Sequence, residues 1–318
     1  MSCNKMVSSL YKKDIISMAE VERDSLERLF TGADYVLEGL SKRRMLSILR
    51  GYLLATVFLE PSTRTRLSFQ FAMTKVGGSV IDFGLAEAAS ITKGESFEDT
   101  MRMVDGYHPD AIVIRAKEVG SAQKAADICE APVINAGDGS NQHPTQAMVD
   151  LYTIKRIRHK IDGVSIGVIG DLAHSRTVNS LSMALDKYDG VKIFYIAPEE
   201  LQVRQETLSS LHKVTYEKLD DLTKVISKLD FLYVTRLQKE RFTNPDDYQR
   251  LKGSYMLNKA ALLSYEKTPY ILHPLPRVDE LDPDVDGLPE AKYFEQAKNG
   301  LYLRAALLAQ ILLEDPPG

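Results

Sequence analysis

An α/β fold is what this sequence predicts: two similar-sized domains, each a mainly parallel sheet flanked by helices. Three observations carry the prediction. Short β-rich runs alternate with helical patterns almost from end to end, the order that builds parallel sheets. The runs fall into two sets separated by one strong helical pattern near residue 150. At 318 residues the chain is also long for one compact domain.

In the first half the strand candidates are "YLLATVFLE", "GSVIDFG", "DAIVIR" and "APVINAG"; in the second they are "VSIGVIGDL", "VKIFYIAP", "LDFLYVT" and "PYILHPL". After "YLLATVFLE", Pro61 and Ser62 break the strand. Phe69, Ala72, Met73 and Val76 then recur at i, i+3, i+4 and i+7 until Gly77-Gly78, which predicts a helix. "HPTQAMVDLYTIKRIRHK" has Ala147, Met148, Leu151 and Tyr152 at helical spacing and joins the two halves. The tail "EQAKNGLYLRAALLAQILL" is a second strong helix, expected to pack back on the first domain. The domains are accordingly expected at 1–150 and 151–290, with the helix of about 291–318 returning to the first. No short-period repeat is present.

Composition narrows the function classes. The chain is 44% hydrophobic and 26% charged, with a net charge of −4 and its basic residues spread along its length. A general nucleic-acid binder would concentrate its basic residues on one face. The apolar stretch "MLSILRGYLLATVFLE" is broken by Arg50, short of the roughly eighteen residues a membrane span needs. The first thirty residues are too polar and acidic for a signal peptide. Cys3 and Cys129 are far apart and form no CxxC, so neither a disulfide framework nor a zinc site is indicated. A cytoplasmic protein acting on small molecules is the expectation.

The densest cluster of donors is "EPSTRTRLSF", Glu60 to Phe69. Ser62-Thr63-Arg64-Thr65 occupies the first turn of a helix that follows a strand. Unpaired backbone N–H groups and the positive end of the helix dipole converge there. Adding hydroxyls and a guanidinium makes a site suited to phosphate. The competing reading is that Ser62 merely caps the helix and both arginines are solvated. Other phosphate motifs are missing: there is no GxxxxGK[ST]. "GVIGDLAHSRTV" lacks the full GxGxxG, and the next strand lacks a terminal acid for a ribose. No nicotinamide or other cofactor is expected.

In "NAGDGSNQHPTQ", Asn135 to Gln146, Pro144 fits the first helical position. That puts His143 at the N-cap and Gln146 one turn in. The dipole there disfavours imidazolium, and a neutral ring can donate one hydrogen bond to a carbonyl oxygen. A histidine that only caps its helix is the alternative. Arg115 ends "DAIVIR", Arg176 lies in "GDLAHSRTV" and Arg236 follows "FLYVT". Ligands of open α/β sheets gather at the carboxyl ends of strands, so these arginines are well placed for recognition; each is equally read alone as a surface charge. "HPLPR", His273 to Arg277, is a loop whose prolines can aim backbone carbonyls at a ligand. "SITKGES" puts Ser90 and Lys93 in a polar, glycine-containing loop. No Ser-His-Asp or Cys-His order and no HExxH or carboxylate cluster for a metal stands out. A site rich in arginine, hydroxyl and amide donors with one histidine suits anionic substrates and a transition state that gathers negative charge.

Taken together and in order, "FLEPSTRTRLSF", "KGES", "IVIR", "NAGDGSNQHPTQ", "GDLAHSRTVNSL", "TRLQKERF" and "HPLPRVDEL" resemble the aspartate carbamoyltransferase catalytic chains. The resemblance runs from about residue 8 to residue 313. "TRLQKER" and "HPLPR" are the parts that resemble the aspartate enzymes. The Ser-Met-Gly segment and HxLP cysteine typical of the ornithine enzymes do not appear.

The resemblance implies the carbamoyltransferase fold. The first domain would bind carbamoyl phosphate and the second L-aspartate, for transfer of the carbamoyl group to the α-amine in pyrimidine biosynthesis. It implies that Ser62, Thr63, Arg64 and Thr65 cradle the phosphate with Arg115 as a further contact. Arg64, Thr65 and His143 would polarise the carbamoyl oxygen, and Gln146 would hold the carbamoyl amine. Arg176 and Thr177 would take the α-carboxylate of aspartate, Arg236 and Gln238 its β-carboxylate, and the Leu275 and Pro276 carbonyls would face the nitrogen groups. Ser90 and Lys93 would enter a neighbouring subunit's site, which implies a homotrimer; regulatory chains or a dihydroorotase are the family's further partners. Three positions depart from the family pattern: Ala89 where the first of two serines usually stands, Ala116-Lys117 where His-Pro usually follows the strand arginine, and "LAHSRT" before Arg176. Rival readings are a carbamoyltransferase for ornithine or a related amine, and a catalytically silent homologue that binds a partner. A guanidinium at Arg236 suits a second carboxylate rather than an ammonium.

Overall fold

The structure, a computed structural model, describes residues 10–44, 46–84, 94–237 and 256–318. The chain forms two compact units, Met1–Tyr152 with Lys298–Gly318, and Thr153–Ala297.

The first unit is built on a four-stranded, all-parallel sheet of β1 (Leu53–Phe58), β2 (Ser79–Phe83), β3 (Ala111–Ala116) and β4 (Val133–Asp138). Its spatial order is β2-β1-β3-β4. The sequences LLATVF and AIVIRA are buried almost throughout, as expected of inner parallel strands covered on both faces. Around them stand α1 (Arg23–Ser41), α2 (Thr63–Lys75), α3 (Phe97–Asp105), α4 (Ser121–Ile128) and the start of α5 (Pro144–Arg158).

Helix α2 follows β1 at once and ends in a Schellman motif. Gly78 N–H donates to the Met73 carbonyl at 3.0 Å, and Gly77 N–H to that of Thr74 at 3.1 Å. Gly77 takes φ +91°, the left-handed conformation the motif requires. The C-terminal segment belongs to this unit from Lys298 on. There Lys12 N–H donates to Ile311 O at 2.9 Å, and the guanidinium of buried Arg304 lies 5.2 Å from the centre of the Phe69 ring. Burial lowers the Arg304 pKa to about 10, with the charge of Asp150 opposing the shift.

The second unit carries a five-stranded parallel sheet: β5 (Ser165–Ile169), β6 (Lys192–Ile196), β7 (Thr215–Leu219), β8 (Phe231–Val234) and β9 (Tyr270–Leu272). The order is β7-β6-β5-β8-β9. Strand β7, TYEKL, is the element the sequence does not announce. Among the described residues it pairs only with β6, at the sheet edge, and it is largely exposed, so it needs no apolar run. Helix α6 (Arg176–Leu185) follows β5, the short helices α7 (Gln205–Ser209) and α8 (Lys259–Leu263) come later, and α9 (Tyr293–Leu312) closes the fold. Ile169, Ile196, Leu232, Val234, Ile271 and Tyr293 are among the buried residues of one apolar core in this unit.

Candidate active site

In an open parallel sheet, ligands bind beyond the carboxyl ends of the strands, where the order reverses direction. In the first unit that point lies between β1 and β3, and in the second between β5 and β8.

β1 runs into Ser62-Thr63-Arg64-Thr65, and its neighbour β3, a strand spacing of about 5 Å away, ends at Arg115-Ala116. Ser62 stands at the N-cap of α2 with extended backbone, yet its side chain makes no capping bond. The helix begins without spending that hydroxyl on its own first-turn N–H groups. The two arginines of the motif separate. Arg66 is tied to Asp82 by a bidentate pair, Nε donating at 2.9 Å, and Thr56 Oγ1 donates to the same carboxylate at 2.6 Å. Burial would raise the Asp82 pKa, but the bonds from Arg66 and Thr56 outweigh it and hold the carboxyl below its ordinary range. Arg66 is therefore a strut from α2 to β2.

Arg115 is only 12% exposed and forms an ion pair with Glu60, 3.1 Å from Nε to Oε2, while Nη1 donates to Ala136 O at 3.2 Å. Nothing in the sequence pattern marks Glu60 as its partner. The register does, because Phe58 lies opposite Arg115 and Glu60 comes two residues later.

β4 leads into the loop before α5. Asp138, fully buried, is its hub: Asn135 Nδ2 donates to Oδ1 at 2.9 Å and Gln142 N–H at 3.1 Å. Its Oδ2 accepts from Gly120 N–H at 2.9 Å and Asn141 Nδ2 at 3.0 Å. The knot fixes the approach to His143, which is 4% exposed and whose carbonyl accepts the first helical bonds from Gln146 and Ala147, with Pro144 opening α5. Gln146 Nε2 donates to Asp150 Oδ1 at 2.7 Å. A carboxylate only accepts, so the amide must turn its nitrogen to Asp150 and keep Oε1 as the end that can receive an N–H.

In the second unit, Gly170 ends β5 at φ +116°, where an added Cβ would stand 2.1 Å from Thr235 O. Only glycine allows so close an approach of the β5 and β8 exits. Thr235 Oγ1 donates back to Ile169 O at 3.1 Å, and Arg236 is the next residue. Asp171, fully buried, accepts from His174 N–H at 3.1 Å and faces its ring Nδ1 at 2.9 Å. That turn delivers Arg176 as the first residue of α6, followed by the nearly buried Thr177, whose hydroxyl meets Ser175 Oγ at 3.0 Å. β9 opens into the loop with Leu275 and Pro276. Arg277 of that loop is held by a bidentate pair with Asp286, Nη2 to Oδ2 2.8 Å, and by Tyr293 Oη at 3.1 Å from Nη1.

Ser62, Thr63, Arg64, Thr65, Arg115, His143 and Gln146 thus lie beyond one set of strand ends in the first unit. Arg176, Thr177, Arg236, Leu275 and Pro276 do so in the second. Ser90, Lys93 and Gln238, and Ala89 with them, lie outside the described residues. Among the described residues no three His, Cys, Asp or Glu side chains are grouped to hold a metal ion, and no helix is long and apolar enough to cross a membrane.

Two family models match the chain: "Aspartate/ornithine carbamoyltransferase, carbamoyl-P binding domain" over residues 13–156, and "Aspartate/ornithine carbamoyltransferase, Asp/Orn binding domain" over residues 162–311. The aspartate carbamoyltransferase catalytic subunit of Thermofilum pendens is 47% identical over 304 residues, 95% of this chain and 96% of the relative. That of Korarchaeum cryptofilum is 48% identical over 304 residues, covering 96% and 99%. Among solved structures, the catalytic subunit of M. jannaschii aspartate transcarbamoylase superposes with a TM-score of 0.87 at 44% identity, over 95% of this chain and 98% of that one. The Trypanosoma cruzi aspartate transcarbamoylase, in complex with carbamoyl phosphate and aspartate, gives 0.92 at 36% identity, over 96% and 99%. The chain belongs to the aspartate/ornithine carbamoyltransferase family, among the aspartate carbamoyltransferase catalytic chains.

Proposed function

We propose that this chain transfers the carbamoyl group of carbamoyl phosphate to the α-amine of L-aspartate, giving N-carbamoyl-L-aspartate and phosphate, a step of de novo pyrimidine biosynthesis. The observation that carries the reading is the division of the cationic residues. One switch point holds a helix N-terminus with hydroxyls and Arg64 beside Arg115, a phosphate-type site. The other holds two separate arginines, Arg176 and Arg236, as a dicarboxylate needs.

In this reading the first unit is the carbamoyl phosphate domain and the second the aspartate domain. Ser62, Thr63, Arg64, Thr65 and Arg115 take the phosphate. Arg64, Thr65 and His143 face the carbamoyl oxygen, and Gln146 receives the carbamoyl N–H on Oε1. Arg176 and Thr177 take the α-carboxylate, Arg236 and Gln238 the β-carboxylate, and the Leu275 and Pro276 carbonyls face the nitrogens. The neutral amine attacks the carbonyl carbon, and the oxyanion of the tetrahedral intermediate gathers charge against Arg64, Thr65 and His143. The C–O bond to phosphate breaks, and the departing phosphate takes the amine proton, so no strong protein base is required.

The active form is a cytoplasmic homotrimer in which Ser90 and Lys93 of a neighbouring copy complete each site. Exposed apolar side chains in the first unit support that assembly. Leu67 and Phe71, one turn apart on α2, are 44% and 55% exposed, and Ile81 on the edge strand β2 is 62% exposed.

A Trypanosoma cruzi relative was crystallised with N-(phosphonacetyl)-L-aspartic acid, which joins a phosphonate to an aspartate. Calorimetric titration with that compound tests the reading. Binding should be far tighter than that of phosphate or succinate alone, and Arg64→Ala and Arg236→Ala should each weaken it. Affinity no greater than for phosphate would reject a two-part site.

A further inference from the structure

The loop after β9 is organised around a histidine that the proposed chemistry does not use. His273 is 2% exposed, and its main-chain N–H donates to Gln296 Oε1 at 2.9 Å. Its Nε2 lies 2.8 Å from Glu280 Oε1, and its Nδ1 lies 2.8 Å from the main-chain nitrogen of Leu275. The backbone settles the tautomer. Leu275 N–H can only donate, so Nδ1 carries no proton and accepts; the proton sits on Nε2 and goes to the Glu280 carboxylate. Glu280 is in turn fixed by Val278 N–H, which reaches both its oxygens at 3.1 and 3.2 Å. Leu275 has φ +55°, a left-handed conformation a leucine avoids unless something outside it holds it there.

We propose that His273 is a positioning residue: through the single bond from Leu275 N–H to Nδ1, braced by Glu280, it aims the Leu275 and Pro276 carbonyls at the reacting nitrogens. The inference rests on the reading of Leu275 and Pro276 given above. Burial would raise the Glu280 pKa, but the His273 bond holds the carboxyl below its ordinary range, so the brace stays ionised at neutral pH.

Three substitutions separate the two bonds of the imidazole. Asparagine places Oδ1 where Nδ1 stands and keeps the acceptor for Leu275. Glutamine reaches the Nε2 position and keeps the donor to Glu280. Alanine keeps neither. For transfer to aspartate, His273→Ala and His273→Gln should lower kcat by about 10–100-fold, as expected when a reacting group is misaligned. His273→Asn should recover most of the loss. Hydrogen exchange at the Leu275 amide should follow the same order: protected in the parent and in His273→Asn, fast in the other two. This second readout does not need turnover, so it decides the matter even if the parent proves inactive with aspartate, and the asparagine–glutamine pair decides it if the alanine variant fails to fold. Equal Leu275 protection in asparagine and glutamine variants, or kcat as low for asparagine as for glutamine, would overturn the proposal.

Discussion

At the scale of single residues, the candidate site is made of polar groups whose competing partners have been arranged in advance. Arg66 is committed to Asp82 and ties α2 to β2, while the proposed anion contact is Arg64. Gln146 gives its nitrogen to Asp150 and keeps its oxygen for an incoming N–H. His143 stands at the N-terminus of α5, where the proposed mechanism has it donate to the developing oxyanion. Loss of one such donor costs about 10²–10³-fold in kcat. His143→Ala is expected to lose that much under saturating substrates, with an unchanged kcat removing it from the mechanism. Arg236→Ala is expected to act differently, raising KM for aspartate while KM for carbamoyl phosphate holds. Asp150→Leu frees the Gln146 amide to turn, and KM for carbamoyl phosphate should rise; steady-state kinetics against each substrate reads all three.

At the scale of elements, the strand exits matter more than the strands. Gly170 is the sharpest case, because a Cβ there would stand 2.1 Å from Thr235 O, in a backbone conformation that other residues rarely adopt. Gly170→Ala must part the β5 and β8 exits or strain them. A stability loss of about 1–3 kcal/mol in urea unfolding, together with weaker aspartate binding, is expected. Parental stability with parental aspartate KM would show that the approach of these exits is not needed.

Much at this scale is legible in the sequence, since apolar strands followed by glycine, proline or a hydroxyl-rich turn announce both the sheet and the helix starts. Eight of the strands show as apolar runs, whereas β7 does not, because an exposed edge strand buries too little to leave a hydrophobic signal. The site divides in the same way. Ser62 to Thr65, His143 and the strand-end arginines stand in recognisable local contexts. Glu60 as a partner for Arg115, Asp138 as the hub of its loop and His273 as the hold on Leu275 depend on pairings that only the folded chain makes.

At the scale of the whole molecule, stability depends on ion-paired carboxylates in both units. Asp82 in the first unit and Glu280 in the second both have folded pKa values below their unfolded ones. For such groups the unfolded chain binds more protons. Their stabilisation is therefore complete above the ordinary carboxylate range, about 4, and lost as pH falls through the lower folded value. Thermal melts should show the parent losing stability as pH drops below about 4. Asp82→Asn should be destabilised at pH 7 yet nearly level with the parent at the acid end. A variant that stays equally far below the parent at both pH values would contradict the linkage. For the trimer proposed above, Phe71→Glu should shift the sedimenting species toward monomer; an unaltered trimer would place the interface elsewhere.

The proposed chemistry turns on the acceptor. The most direct measurement is carbamoyl transfer by the purified protein from carbamoyl phosphate, with L-aspartate and L-ornithine offered separately. Product with aspartate and none with ornithine is what two guanidinium groups at the second switch point predict. Transfer to ornithine, or no transfer to either from correctly folded protein, would contradict it.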